Sequence, residues 1–505
     1  MKSISGRLIA LSTMVGALAV APVWAASAAD VHDEFHWLDR LNRASLVMMS
    51  EEAILKKSEV KTIADALDRL REKAKDQNFK RTSKWSTTEP YLIDIAGPVV
   101  TRLHTGRSTW DTGAVNERMR QRETLLGVYE SLIDARQALL DFGKKHATAI
   151  IPAYTGGVQA QPTSMGHFMT AYVEVFGRHA KALEDAYRNL NLSPLGAGAL
   201  GTSSYPINRQ RLSDLLGFDR PIQNSYDAVL LASVESNMRL IGTVSGLAVT
   251  ANTLAEDLGN QYYLAKPWLR HPSGQTSGST IMPQKENPVG VNAIRSSATA
   301  ILGRASAYMF EVHNLESGRF AGGGGGSAAN KGDHNIALAT SREMLNTIAS
   351  TFRTFEFSPE RALEQVLDDY ATATELANAL QRHGDIPFGD AHHIAAAIVK
   401  FGRGNGIRAS EITFTDFEKV FSETAKHYDI KQTQSGLTED MFRKVMSPQT
   451  MVEASQGYGG PQPASVTAMF EEGAHDISTD RAWLKEQRAE LKAADARLDE
   501  AFSQL

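Results

Sequence analysis

The segment Val234–Leu258 reads VESNMRLIGTVSGLAVTANTLAEDL and contains no proline. Its apolar residues recur every three or four positions, so they share one face of a helix. The residues on this face are Val234, Met238, Ile241, Val244, Ala248, Ala251, Leu254 and Leu258. Two further stretches, 99–151 and 289–358, also lack proline. Because helices this long are most readily stabilised side by side, the sequence predicts a mainly α protein with a long central helical bundle.

Composition narrows the class of protein further. The chain has 505 residues, 42% of them hydrophobic, a net charge of -5 and no cysteine. This length is enough for about three domains. The absence of surplus positive charge argues against a nucleic acid partner. Disulfides, thiolate metal sites and a cysteine nucleophile are excluded, and no metal or nucleotide motif stands out, so we expect no metal and no cofactor.

The N-terminus has the pattern of a bacterial export signal. Lys2 and Arg7 form a positive region, Leu8–Val20 is apolar, and Ala26-Ser27-Ala28 fits a cleavage site. The apolar run is shorter than the ~20 residues of a membrane span. We therefore expect residues 1–28 to be removed, which predicts a periplasmic or secreted protein without a membrane span after processing. The alternative is an uncleaved anchor.

The chemistry is concentrated in Gly278–Pro288, which reads GSTIMPQKENP. Two prolines and the Gly-Ser-Thr start predict a loop ahead of a long helix. A serine hydroxyl becomes a base only if its oxyanion is stabilised by backbone N–H groups and a nearby cation, such as Lys285. Lys285 and Asn287 are also suited to binding a carboxylate.

The order of these residues resembles the signature of the fumarase/aspartase superfamily, Gly-Ser-Ser-x-Met-Pro-x-Lys-x-Asn-Pro, from which only Thr280 departs. Other segments resemble argininosuccinate lyases in particular. They are Leu103–Ser108, Tyr154–Thr155, Ser193–Leu200, Gly217–Pro221, Ala371–Thr374 and Pro387–Ile394. The similarity extends from about Trp37 to Pro463.

This resemblance implies a three-domain, mainly α subunit that assembles as a homotetramer with active sites shared between subunits. Together with shifts in composition near Thr112 and Asp368, it gives the expected division of the chain. The parts are an N-terminal helical domain at 29–112, the central bundle at 113–367, a small C-terminal helical domain at 368–470 and a helical tail at 471–505. The leucines of the tail predict either a short coiled coil or one amphipathic helix lying on its own domain.

The resemblance also implies roles for individual residues. Ser279 would be the general base that takes a proton from the substrate's Cβ. The carboxylate on which charge develops would be held by Lys285, Asn287 and backbone groups near Thr280 and Met282. Thr155 and Ser108 match substrate-contacting positions of the family, and the alternative for both is a hydroxyl that caps a helix or turn.

Three departures limit the resemblance. Gly156 stands where the family has its acid/base histidine, and His104 and His167 are weak candidates to replace it. Trp110 replaces an amide that helps to bind the amino-acid portion of argininosuccinate. A five-glycine run, Gly322–Gly326, replaces part of a substrate-facing segment, and it is a flexible loop or an anion-binding nest.

The sequence thus predicts a lyase that acts by anti β-elimination on an N-substituted aspartate, a small succinyl compound, and releases fumarate. Two alternatives stay open. One is a genuine argininosuccinate lyase with altered contacts. The other is a catalytically silent binding or structural protein on the same fold, because a fold alone does not establish function.

Overall fold

The computed structural model describes residues 32–313 and 332–505. The mainly α fold is confirmed. The expected export signal and the run Gly322–Gly326 lie outside the described residues. Within these two ranges, no helix combines the length and the apolar character needed to cross a membrane.

The described part of the chain consists of seventeen α-helices with short strands between some of them. The helices are α1 (Glu34–Glu51), α2 (Lys57–Lys73), α3 (Trp85–Ala96), α4 (Thr109–Lys145), α5 (Met165–Leu190), α6 (Arg209–Leu215), α7 (Ser225–Leu230), α8 (Ala232–Asn260), α9 (Val289–Val312), α10 (Asp333–Thr354), α11 (Pro359–Leu367), α12 (Ala373–Gly384), α13 (Phe388–Asn405), α14 (Phe414–His427), α15 (Glu439–Val445), α16 (Pro448–Ala454) and α17 (Pro463–Ser503). Three short 3₁₀ helices cover Pro98–His104, Gln261–Tyr263 and Ala409–Glu411. The strands are β1 (Ile150–Thr155), β2 (Val158–Ser164), β3 (Leu192–Ser193), β4 (Arg220–Pro221), β5 (Leu269–Arg270) and β6 (Glu356–Phe357). They form three two-stranded sheets, in which β1 pairs antiparallel with β2, β3 parallel with β4, and β5 antiparallel with β6.

Five long helices, α4, α5, α8, α9 and α10, pack together as the central bundle. The helical face predicted in α8 supplies part of its core, because the residues from Ile241 to Leu258 on that face are buried. Val234 and Met238 at the start of the face are only half-buried. The spacing of apolar residues in α8 therefore predicted correctly which face of this helix enters the bundle core.

The directions of the bundle helices follow from ion pairs between residues near their ends. These pairs are Glu256–Arg295 between α8 and α9, Arg304–Asp333 between α9 and α10, and Glu117–His334 between α4 and α10. The helix α9 is therefore antiparallel to both α8 and α10, whereas α4 is parallel to α10. Consequently, the start of α4 and the start of α9 lie at opposite ends of the bundle.

Two smaller cores flank the bundle. One is formed by α1 to α3 with α6 and the end of α17, and the other by α12 to α15. Helix α17 runs along α4 and α5 and reaches α1, so the leucine-containing tail packs on its own chain. The expected boundaries at 112/113 and 470/471 fall inside α4 and α17, whereas 367/368 coincides with the end of α11. As a division into domains, the expected scheme stays a prediction.

Candidate active site

The segment Gly278–Pro288 forms the loop between β5 and α9. Its two ends are tied together by Ser277 and Asn287. The Asn287 N–H donates to the Ser277 carbonyl at 3.0 Å, and the Asn287 Nδ2 donates to the same oxygen at 2.7 Å. Because a side-chain amide has two N–H donors, Asn287 can brace the loop and still bind a ligand.

Within this loop, Ser279 is the acceptor of two backbone N–H groups. Its Oγ accepts from Met282 N at 3.2 Å and from Ile281 N at 3.4 Å. The Lys285 N–H closes the following turn on the Met282 carbonyl at 3.1 Å. Two of the donors that a serine oxyanion requires are therefore already directed at this hydroxyl.

The loop is open to solvent in a single chain. Thr280, Met282 and Lys285 are exposed, and the Ile281 side chain is 83% exposed. Ser279 and Asn287 are half-buried.

The base of the loop rests on a buried histidine that sequence reasoning did not single out. His271 packs against Gly290, the second residue of α9, where an added Cβ would lie 2.6 Å from His271 Cε1 and 2.4 Å from Thr351 Oγ1. Burial lowers the pKa of His271, which favours the neutral form of the ring. Neither ring nitrogen has a hydrogen-bond partner within the described residues. A histidine at this position has no sequence motif that could have identified it.

Ser108 is the N-cap of α4. Its Oγ accepts from Trp110 N at 3.3 Å, and its own N–H donates to Asp111 Oδ1 at 2.8 Å. Asp111 also accepts the N–H groups of Gly196 and Gly198, and burial raises its pKa. The capping role that the sequence left open is thus what the Ser108 hydroxyl performs in one chain.

Thr155 lies in an exposed β-hairpin. It pairs with Val158 across a two-residue turn, Gly156-Gly157, whose φ angles are +58° and +79°. Positive φ at both central residues suits a tight hairpin turn and favours glycine. An added Cβ at Gly156 would meet nothing within 4 Å.

The two candidate histidines both make packing or hydrogen-bond contacts within this chain. His167 uses both ring nitrogens, on Thr163 Oγ1 at 2.8 Å and on the Gly459 carbonyl at 3.0 Å. The His104 ring stacks on Trp85, and burial lowers the pKa of His104 to about 4. Within one chain, His167 therefore has no ring nitrogen left for a substrate, and the His104 ring is held against Trp85.

One chain does not bring the candidate residues together. Ser279 precedes α9 and Thr155 follows α4, so both lie at the same end of the bundle, whereas Ser108 lies at the start of α4, at the other end. Helix α9 alone has 24 residues, which corresponds to a length of about 36 Å. The hydrogen bonds of Ser279 and Asn287 within the described residues all stay inside the loop.

Comparison with known proteins shows which family this chain belongs to. A family model described as Lyase matches residues 21–303, more than half of the sequence. The chain belongs to this lyase family. A model of the argininosuccinate lyase C-terminal region matches residues 370–453.

Among its relatives, this lyase is 28% identical to argininosuccinate lyase of Methanoculleus marisnigri over 478 residues, covering 92% of each chain. It is 29% identical to argininosuccinate lyase 2 of Agrobacterium fabrum over 440 residues, covering 85% of this chain and 84% of the relative. The crystal structure of EDDS lyase in complex with formate superimposes with a TM-score of 0.85 at 25% identity, covering 93% of this chain and 91% of that one. The protein is thus a carbon–nitrogen lyase of the argininosuccinate lyase and EDDS lyase type.

Trp110 shows how this lyase departs from the resemblance near Ser108. The half-buried indole packs against a small apolar cluster that includes Ala197, Ile222 and Val229. Position 110 is therefore occupied by an apolar packing contact in this chain.

Proposed function

We propose that this lyase cleaves the C–N bond of an N-substituted aspartate by anti β-elimination and releases fumarate. The observation that carries the proposal is the pair of backbone N–H groups, from Ile281 and Met282, that donate to Ser279 Oγ. Such donors stabilise the serine oxyanion, and an oxyanion is the form in which serine can act as a base.

In the proposed reaction, the Ser279 oxyanion takes the proton from the substrate's Cβ. The electron pair of that C–H bond moves onto the adjacent carboxylate, which becomes a dianion. Lys285 and Asn287, with backbone groups near Thr280 and Met282 that are not engaged by Ser279, hold this carboxylate and stabilise the charge as it develops. Collapse of the dianion forms the C=C bond of fumarate and expels the amine with the electron pair of the C–N bond.

The proposed substrate has an amine that leaves without help from an acid. Gly156 offers no proton, and both nitrogens of His167 are engaged. An amine that is already protonated departs as a neutral molecule and needs little acid assistance. This favours amine halves that are basic alkylamines.

We further propose that the enzyme works as a homotetramer with shared active sites. Ser108 and Ser279 lie at opposite ends of the bundle in one chain, so a site that uses both requires a second copy. We also propose that the enzyme acts in the periplasm or outside the cell, as its N-terminal sequence suggests.

A second candidate function is cleavage of argininosuccinate itself. The match of residues 370–453 to the argininosuccinate lyase C-terminal region favours it. The packing of Trp110 in place of the family's amide argues against it.

The test is a turnover assay with the purified mature protein. Fumarate is followed by its ultraviolet absorbance, with argininosuccinate alone and with fumarate plus a panel of diamines and amino acids. We expect a fumarate change with at least one amine, and a loss of roughly 100-fold or more in Ser279→Ala. Ser277→Ala is the matched control, because the contacts of Ser277 with Asn287 are made by its backbone.

Each outcome has a distinct meaning. Full activity of Ser279→Ala would show that the proposed base is wrong. Saturable cleavage of argininosuccinate would establish the second candidate. No fumarate change with any compound would favour the catalytically silent protein.

A further inference from the structure

A cavity of about 470 Å³ lies where α1, α4, α10 and α17 meet. Its volume is typical of a pocket for a small ligand. It is lined by the middle of α4 and by the tail helix, and no residue of the loop Gly278–Pro288 contributes to it. It is therefore separate from the candidate active site.

The charged lining of this cavity is predominantly positive. Five arginine and lysine side chains line it against three carboxylates. Arg40 is paired with Asp495 at 2.6 Å, and Arg488 with Glu130 at 2.7 Å. Lys492 has no ion pair within the described residues, so its charge is available to a ligand.

Arg122 adds a positive charge that no carboxylate contacts directly. It is 3% exposed, and its terminal nitrogens donate to the carbonyls of Leu216 and Gly217 and to the amide of Asn191. Its Nε has no acceptor in the described part of the chain. The face of this guanidinium lies over the Phe218 ring at 3.8 Å. A buried guanidinium whose hydrogen bonds go only to neutral oxygens still favours a nearby negative charge.

The rest of the lining is apolar and aromatic. Leu126, Leu216 and Leu491 contribute aliphatic surface, and Trp37 contributes an indole. The Trp37 Nε1–H is buried and has no acceptor among the described residues. Since buried polar groups in folded proteins are normally hydrogen-bonded, this N–H is available to donate to a ligand.

We propose that this cavity binds a small aromatic carboxylate, with the carboxylate near Lys492 and the ring against the leucines. The charge of Lys492 and the N–H donors of Arg122 and Trp37 favour an anion. The leucines and the Trp37 indole favour an apolar, planar group beside that anion. This site does not depend on the proposed reaction.

The test uses ligand-observed fluorine NMR on the intact mature protein. The probes are 4-fluorobenzoate and 4-fluorobenzylamine, which share a ring and differ in charge. We expect line broadening of the benzoate and not of the benzylamine. In Lys492→Glu the Kd for the benzoate should rise at least roughly fivefold, because the charge beside the carboxylate is reversed. Trp37→Phe keeps an aromatic side chain and removes the N–H, so the Kd of this variant for the benzoate should rise roughly threefold.

Lys485→Glu is the matched control, because Lys485 is exposed one heptad earlier on α17 and does not line the cavity. Its Kd should equal that of the unmodified protein, and saturating fumarate should leave benzoate binding unchanged. Equal broadening of both probes, an equal effect of Lys485→Glu, or displacement by fumarate would each overturn the proposal.

Discussion

Gly290 lies where the Ser279 loop enters α9, at a position with no room for a side chain. Any Cβ there would collide with Thr351 Oγ1 at 2.4 Å and with His271 Cε1 at 2.6 Å. We expect Gly290→Ala to lower the free energy of unfolding by about 1–3 kcal/mol, the usual cost of overpacking, and to reduce kcat because α9 must shift.

The matched control for this substitution is Gly259→Ala, in α8 at the same end of the bundle. A Cβ at Gly259 meets its nearest atom at 3.7 Å, an ordinary contact. Urea unfolding and turnover of the two variants distinguish a local collision from a general intolerance of alanine. Unchanged stability of Gly290→Ala would contradict the described packing of His271.

At the scale of single elements, the β1–β2 hairpin offers a way to restore a histidine. Gly156→His finds open space, but φ at +58° is left-handed, so it should cost about 1–2 kcal/mol. If an acid at this place assists the leaving amine, turnover of substrates with weakly basic amines should increase. Gly157→His, with φ at +79°, carries a similar strain and serves as the control. Equal turnover of both variants would show that a histidine at position 156 does not assist the leaving amine.

A buried ion pair joins α17 to the bundle. Arg136 and Asp480 are each 1% exposed and are hydrogen-bonded to each other, and Lys181 Nζ lies 3.0 Å from Asp480. Asp480→Asn leaves the Arg136 charge without its carboxylate, so we expect a loss of about 3–5 kcal/mol in the free energy of unfolding.

An exposed ion pair provides the comparison for Asp480→Asn. Glu174 and Arg178 form a solvent-exposed pair one turn apart on α5. Glu174→Gln should change stability by no more than about 0.5 kcal/mol. Chemical denaturation of both variants measures the difference, and equal losses would show that burial of the Arg136–Asp480 pair is not what matters.

At the scale of the whole molecule, two half-buried histidines contribute to the response of stability to acid. Burial lowers the pKa of His36 and of His104, each to about 4. Both rings are neutral and fully compatible with the fold above pH ~6.5, the ordinary histidine pKa. As the pH falls from there towards 4, the unfolded chain binds protons that the folded chain does not, so stability decreases.

Each of these histidines can lower the free energy of unfolding by at most about 1.4 kcal/mol per pH unit. The decrease is smaller here because both rings are partly solvated. Thermal unfolding between pH 7 and 4 measures the decrease. In His104→Gln, the unfolding temperature should decrease less between pH 7 and 4. An unfolding temperature that is independent of pH over this window would contradict the burial of the two rings.

The sequence was most informative where structure depends on neighbours along the chain. The period of apolar residues in Val234–Leu258 located the buried face of α8, and the prolines around Ser279 placed it in a loop before α9. The Ser108 hydroxyl caps a helix, an alternative that the residue type alone left open.

Features built from distant parts of the chain could not be predicted. The contact of His271 with Gly290 and Thr351 joins three segments, and the cavity around Lys492 joins the first described helix to the last. Such contacts depend on tertiary packing, which no local pattern encodes. The separation of Ser108 from Ser279 likewise became visible only once the directions of the helices were known.

That separation has a consequence for how the enzyme behaves in dilute solution. If Ser108 and Ser279 serve the same reaction, a solitary subunit holds two half-sites facing away from each other and is inert although fully folded. Specific activity would then fall with the protein concentration itself, with no accompanying loss of helix content. The bundle surface where copies meet would be as sensitive to substitution as the loop that carries the base.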